Sequence, residues 1–372
     1  MESFVVSARK YRPLGFDEVV GQGHITTTLK NAIDNNHLAQ ALLFCGPRGV
    51  GKTTCARILA RMVNGFEASG ENQSTNFNIH ELDAASNNSV DDIRSLTDQV
   101  RYPPQQGKFK VYIIDEVHML STQAFNAFLK TLEEPPEYAI FILATTEKHK
   151  VIPTILSRCQ IYDFNRIEIK DIVDQLKKIA AQESIEAEDE ALHLIAQKAD
   201  GAMRDALSLF DLIVTFSSDN KITYQNTIKN LHILDYDYYF KVTDFLQSEE
   251  MSKALLLFDE VLKNGFDGHN FLAGLQDHFR NLLVAKDEET VKLMEVSEGL
   301  KQKYLEQGGA LNSSYLLTGL NLMNQFDLNY KVSRNQRLHV ELCLMKLSHL
   351  NQAIRLAEQN SEDGVKKKVG AN

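Results

Sequence analysis

The sequence predicts an α/β fold built on a parallel sheet in its first half, followed by segments that are helical throughout. Three observations lead there. Short β-rich apolar runs alternate with helical patterns through residue 166. Those runs then stop, and apolar residues recur at three- and four-residue spacing to the end of the apolar sequence.

In chain order, ALLFC precedes GKTTCARILARMV, NIHELD precedes SVDDIRSLTDQV, KVYIIDEV precedes TQAFNAFLKTLEE, and AIFILATT precedes IPTILSRC. A parallel strand pair needs a long return connection, which a helix supplies, so this alternation implies a parallel sheet with helices on both faces. Residues 1–166 form this first predicted domain. In 167–224, the segments IEIKDIVDQLKKIAAQ, EDEALHLIAQKA and MRDALSLFDLIVTF predict a small helical domain. Residues 225–357 continue as helices, among them YYFKVTDFLQ, MSKALLLFDEVLKNG and SYLLTGLNLMNQFDLNY, with Gly265 and Gly268 expected as helix stops. No fixed-period repeat occurs. The remaining 358–372, EQNSEDGVKKKVGAN, has no aromatic residue and reads as a disordered tail with a solvated lysine run.

Composition narrows the function classes. A formal net charge of −10 argues against a protein that coats nucleic acid by bulk attraction, so any DNA contact must be local. No apolar run reaches the roughly 18 to 20 residues of a membrane helix. The N-terminal MESFVVSARKYRP lacks the long apolar stretch of a signal peptide, which makes the cytoplasm the default location and gives no reason to expect a membrane partner. Cys45, Cys55, Cys159 and Cys343 are far apart, with no CxxC pair, and read as reduced, packed thiols.

Chemistry concentrates in two strings. GPRGVGKT, Gly46 to Thr53, fits G-x-x-x-x-G-K-[ST] between an apolar run and a helical pattern. Gly46, Pro47, Arg48, Gly49, Val50 and Gly51 would form a loop whose backbone N–H groups point at phosphate oxygens, with Thr54 on the helix that follows. Lys52 would bridge the β- and γ-phosphates of ATP, and Thr53 would bind Mg²⁺. The second string, VYIIDEVH, ends a strand in Asp115, which would complete the Mg²⁺ shell, with Glu116 beside it to orient and deprotonate the attacking water. His118 reads as a packed helix-start histidine in preference to a catalytic one.

ARKYRP, VVGQ, GPRGVGKT, ELDAASNNSVDDIR, KVYIIDEVHML, FNAFLKTLEEPP, ILATTE, ILSRCQ and GAMRDALS follow one another through roughly the first 215 residues. Together they resemble the bacterial DNA polymerase III gamma/tau family. The later helices resemble that family's collar only in length and pattern. The resemblance implies a P-loop AAA+ core, a helical lid and an all-α oligomerising collar, in a motor that uses ATP to open a sliding clamp and load it onto primed DNA. Delta and delta-prime type subunits, further copies of this chain, the clamp and primed DNA are the implied partners. It further implies that Thr146 is the sensor-1 hydroxyl reading the γ-phosphate, with Thr145 as the alternative. Arg204 would be the sensor-2 cation of the lid, and Arg158 the arginine finger given to a neighbour's site. Without the family, both arginines read as ordinary surface or capping residues. Val19, Val20, Tyr11, Arg12 and Pro13 fall where the family packs adenine; unaided, they read as core and turn residues.

Ser86, Asn87, Asn88 and Ser89, with Arg94 a turn further on, would hold the DNA backbone at a helix start. On the residues alone, a plain N-cap is the better reading of that stretch. One departure from the family stands out. Its four-cysteine zinc module would begin near Gly65, yet GFEASGENQSTNF contains no cysteine, so no zinc is expected. The sequence stops soon after the collar, so the long tail of the tau form is expected to be missing or removed. Two other functions fit less well: a non-hydrolysing scaffold of the delta-prime type, whose relatives lose residues such as Lys52 and Glu116, and another AAA+ DNA-processing ATPase such as a branch-migration helicase. Polymerase activity, if attached to such a chain at all, would belong to the holoenzyme.

Overall fold

The computed structural model describes residues 5–66, 78–104, 107–217, 220–231, 234–287, 289–294, 296 and 298–356. Most of the cysteine-free interval discussed above, and the whole 358–372 tail, lie outside the described residues. The chain divides into two compact units between Thr223 and Tyr224.

The first unit opens with the short helix α1 (Ser7–Lys10) and α2 (Gly23–Asp34). Then β1 (Ala41–Cys45), α3 (Lys52–Val63), β2 (Ile79–Asp83), α4 (Val90–Val100), β3 (Lys110–Asp115), α5 (Thr122–Glu133), β4 (Ala139–Thr145), α6 (Pro153–Leu156) and β5 (Gln160–Asp163) alternate. The strands form one sheet in the order β2-β3-β4-β1-β5, and every pairing is parallel. Every residue of β1 and β4 is buried, as expected of strands covered on both faces. Their side chains alternate: Leu42, Phe44, Ile140 and Ile142 join Leu29, Ile58 and Leu59 in one core. Leu43, Phe141 and Leu143 join Tyr112, Phe125 and Phe128 in the other.

The strand β5 was not legible in the sequence. Its four residues, QIYD, begin and end in polar side chains that are exposed here, and only its pairing with β1 makes it a strand. Beyond it lie α7 (Ile169–Gln182), α8 (Asp189–Lys198) and α9 (Met203–Phe216). The reading of this stretch as free of β-structure needs correction. Two-residue strands β6 (Glu186–Ala187) and β7 (Lys221–Ile222) pair in parallel at the ends of the helices.

The second unit is helical throughout its described residues: α10 (Tyr224–Leu231), α11 (Tyr236–Gln247), α12 (Met251–Lys263), α13 (Gly268–Val284), α14 (Glu298–Ala310), α15 (Ser313–Tyr330) and α16 (Gln336–Ser348). Its core gathers Phe271, Leu275, Phe279 and Leu282 of α13 with Tyr315 and Met323 of α15 and Leu344 of α16. Gly319 permits the close crossing of α13 and α15, because a Cβ there would stand 2.8 Å from the Phe279 ring. Gly265 ends α12 with φ +86°, as expected of a helix stop. Gly268 does not end a helix. It begins α13, whose first amides at His269 and Asn270 bond the Asp267 carboxylate at 2.8 and 3.1 Å.

Candidate functional site

The carboxyl ends of β1, β3 and β4 lie side by side because of the strand order, and a cleft opens there in the first unit. From β1 the chain enters the loop Gly46–Gly51, in which Gly46, Gly49 and Gly51 have φ of +146°, +76° and +106°. At Gly46 a Cβ would lie 2.4 Å from the Phe164 carbonyl oxygen, so no side chain fits. The loop then feeds directly into α3, whose first N–H groups have no side-chain cap, an arrangement suited to an anion.

Lys52, the first residue of α3, is only 6% exposed. Its ammonium donates to the carbonyls of Gly46 and Pro47 at 2.8 and 2.7 Å. Burial pulls its pKa below the ordinary lysine value, while Glu116 and then Asp115 oppose that shift. A buried cation with carboxylates nearby and few fixed partners is suited to a polyanion. Thr53 Oγ1 donates to Asp115 Oδ2 at 2.6 Å, so the hydroxyl and carboxylate expected to share a divalent ion do converge. Their oxygens suit Mg²⁺.

Glu116 follows β3 with φ 49° and ψ 45°, a left-handed conformation that a non-glycine residue adopts at a cost of about 1–3 kcal/mol. That backbone turns the carboxylate across the end of β4. There Glu116 Oε2 accepts hydrogen bonds from Thr146 N and Oγ1 at 3.2 and 3.0 Å. Thr145, by contrast, is buried, and its hydroxyl meets His118 Nδ1 at 3.0 Å.

Tyr11, Arg12, Pro13, Val19, Val20, Arg48, Gly49, Val50, Gly51, Lys52, Thr53, Thr54, Asp115, Glu116 and Arg204 all line the cleft. Arg204, on α9, is exposed, and its backbone N–H reaches the Gly49 carbonyl at 3.3 Å. Its guanidinium has no ion pair with any described residue. Sequence reasoning missed Ala8, Glu18, Ile167, Gln175, Met203 and Leu207, which also line the cleft. It also missed what Gln22 does. Fully buried, Gln22 donates to the carbonyls of Val50 and Asn165 at 3.4 and 2.7 Å, bracing the phosphate loop from behind. The N-terminal segment is clasped to the helices after the sheet: Ser7 N bonds Asp211 of α9 at 2.7 Å, and Lys10 and Tyr11 both bond Glu183.

Arg158 does not line the cleft. It is exposed beyond α6, bonding the Thr154 carbonyl at 2.7 Å and pairing with Glu133 at 2.6 Å. Ser89 caps α4 in a reciprocal box with Asp92, and Asp91 lies in the same first turn. Ser86 and Asn87 turn back onto Asp83, and Arg94 lies 3.4 Å from Asp91. Asn88 is exposed, and its carbonyl accepts from Ser121 N at 3.4 Å. Burial pushes the cysteine thiols up, to about 11 at Cys45 and Cys159 and about 12 at Cys55 and Cys343, which makes them inert. Among the described residues, no three His, Cys, Asp or Glu side chains converge on a metal-sized site.

A glycine cradle, a buried lysine and paired acids at the carboxyl ends of a parallel sheet define a P-loop nucleotide-binding protein, and the helices after the sheet make it one of AAA+ type. A family model described as DNA polymerase III, delta subunit matches residues 21–168. One described as DNA polymerase III clamp loader subunit, ATPase lid domain, matches residues 171–219. The DNA polymerase III subunit tau of Bacillus subtilis is 38% identical over 357 residues, covering 93% of this chain and 63% of that protein. The DNA polymerase III subunit gamma of Buchnera aphidicola is 33% identical over 365 residues, covering 94% of this chain and 98% of that one. Among solved structures, the Thermotoga maritima RuvB Holliday junction branch migration motor aligns with TM-score 0.47 and 22% identity, over 63% of this chain and 79% of that one. The chain belongs to the DNA polymerase III gamma/tau family. It spans 63% of the length of the Bacillus relative. No helix among the described residues is long and apolar enough to cross a membrane.

Proposed function

We propose that this chain is the ATP-hydrolysing motor of a sliding-clamp loader, acting in the cytoplasm with delta and delta-prime type subunits, further copies of itself, the clamp and primed DNA. The observation that carries the reading is the complete set around the phosphate loop: Lys52 at the cradle, Thr53 2.6 Å from Asp115, and Glu116 at the cleft wall. A scaffold that binds ATP without hydrolysing it would have no use for Glu116.

In this reading Lys52 and the loop amides hold the β- and γ-phosphates, and Val19, Val20, Tyr11, Arg12 and Pro13 pack the adenine. Thr53 and Asp115 would hold Mg²⁺, which when bound neutralises phosphate charge. Glu116 orients a water and takes its proton as the water oxygen attacks the γ-phosphorus, and ADP leaves with the bridging oxygen. Thr146 and Arg204 read the γ-phosphate, and Arg204 carries that information to the lid. Arg158 serves the neighbouring subunit's site. Residues 1–166, 167–224 and 225–357 are the ATPase, lid and collar domains, and Ser86 to Ser89 with Arg94 touch the DNA backbone. We include no zinc, since the four thiols lie apart, in β1, in α3, between α6 and β5, and in α16.

Capture of the sliding clamp and delta-type subunits by the purified chain, in ATP and in ADP, tests the proposal. Clamp retained in ATP and released in ADP is the expected outcome. Retention that ignores the nucleotide would point to the scaffold reading.

A further inference from the structure

His118 is a buried titratable side chain beside Glu116 that the mechanism above leaves without a task. Its side chain is 7% exposed, and three groups surround the ring. Nε2 lies 3.1 Å from the Glu147 carboxylate, Nδ1 lies 3.0 Å from Thr145 Oγ1, and the same Nδ1 lies 3.5 Å from Glu116 Oε2.

The partners decide which nitrogen carries the proton. A carboxylate only accepts, so Nε2 donates to Glu147. Thr145 Oγ1 accepts the Glu147 N–H at 3.0 Å and keeps its own O–H, which with the proton on Nε2 donates to Nδ1. Nδ1 is thereby engaged with Thr145 and stands 3.5 Å from Glu116 Oε2. Lys150 holds the same Glu147 oxygen at 2.7 Å, fixing the outer end of the chain of contacts.

We infer that His118 is a positioning residue that fixes the direction of the Glu116 carboxylate. Thr146 holds Oε2 by two hydrogen bonds while the His118 ring, with Nδ1 3.5 Å from the same oxygen, limits its movement on that side. Oε1, which has no partner among the described residues, is left for the attacking water. The inference rests on Glu116 being the water-activating base.

The test is steady-state ATP hydrolysis by the full chain in its assembled complex, with His118→Ala, His118→Asn, His118→Gln and Glu116→Gln. An Asn amide oxygen can take the place of Nδ1 and accept from Thr145, whereas Gln reaches only toward Glu147. Misplacement of a catalytic group predicts a kcat loss of about 10- to 100-fold in His118→Ala, with KM for ATP within about twofold of the parent. His118→Asn should recover most of that loss and His118→Gln less. An unchanged kcat in His118→Ala, with Glu116→Gln inactive, would overturn the role of His118 alone. Equal losses in all three His118 variants, with KM and Tm shifted together, would make it a packing residue. Turnover persisting in Glu116→Gln would instead overturn the assignment of the base.

Discussion

Lys52 shows how much chemistry one side chain holds at the residue scale. It is buried, it touches only loop carbonyls by hydrogen bond, and its removal takes away the phosphate cation without taking volume from either face of the sheet. Lys52→Ala should therefore abolish ATP binding and hydrolysis while circular dichroism stays unchanged. A nucleotide affinity within about twofold of the parent would contradict the assignment. Glu116→Gln keeps the shape of the cleft and removes only the base. It should retain ATP affinity, lose turnover by at least about 10²-fold, and hold the clamp-engaged state; faster clamp release would contradict it. The phosphate loop was legible because its glycines and lysine are local in sequence. The contacts of Glu116 with Thr146 and of His118 with Thr145 were not, because they depend on β3 lying beside β4, with Ile114 opposite Leu143. Gln22 was illegible for the same reason, since it reaches 28 and 143 residues along the chain.

At the scale of elements, α4 and α13 make separate predictions. The Ser89 hydroxyl accepts from Asp92 N at 3.2 Å, so Ser89→Ala should lower stability by about 1 kcal/mol. If the same stretch also holds a DNA backbone, affinity for primed DNA should fall beyond what the loss of folded protein explains. Full DNA affinity in the folded variant would leave Ser89 a cap alone. In α13, His278 is buried between Tyr304 and Gln307, with ring nitrogens 3.0 Å from each, and burial lowers its pKa from 6.5 to about 3. The unfolded chain therefore binds a proton below pH 6.5 that the folded helix refuses, so stability is full above that pH and falls as pH drops toward 3. Between pH 7 and 5 the loss should be about 2 kcal/mol, read from urea unfolding midpoints. His278→Gln, which keeps hydrogen-bonding capacity but does not titrate, should remove that part of the slope; an unchanged slope would refute the cause. Element types were legible wherever periodicity ran long, as in α7, α9 and α15. The four-residue β5 and the two-residue β6 and β7 were not, since so few residues carry no period. Gly268 misled because glycine marks helix beginnings as well as ends, and Asp267 before it was the better signal.

At the scale of the whole molecule, the proposed ATP hydrolysis uses sites shared between subunits. The cleft proposed to bind ATP lies in the first unit of one chain, whereas Arg158 does not line it and pairs with Glu133 on the surface. An exposed ion pair of this kind is worth at most about 1 kcal/mol, so a neighbour's triphosphate can take the guanidinium from it. Arg158→Ala should leave ATP binding by its own chain nearly unchanged, and lower clamp- and DNA-stimulated hydrolysis by the neighbour about 10³-fold. The most direct measurement mixes two inactive chains, Arg158→Ala and Lys52→Ala, in complexes shown to contain both. Stimulated ATP hydrolysis should reappear, because the intact finger of one chain serves the intact pocket of the other. No recovery in such mixed complexes, or loss of ATP binding by Arg158→Ala alone, would make Arg158 a residue of its own chain's structure and contradict the shared site.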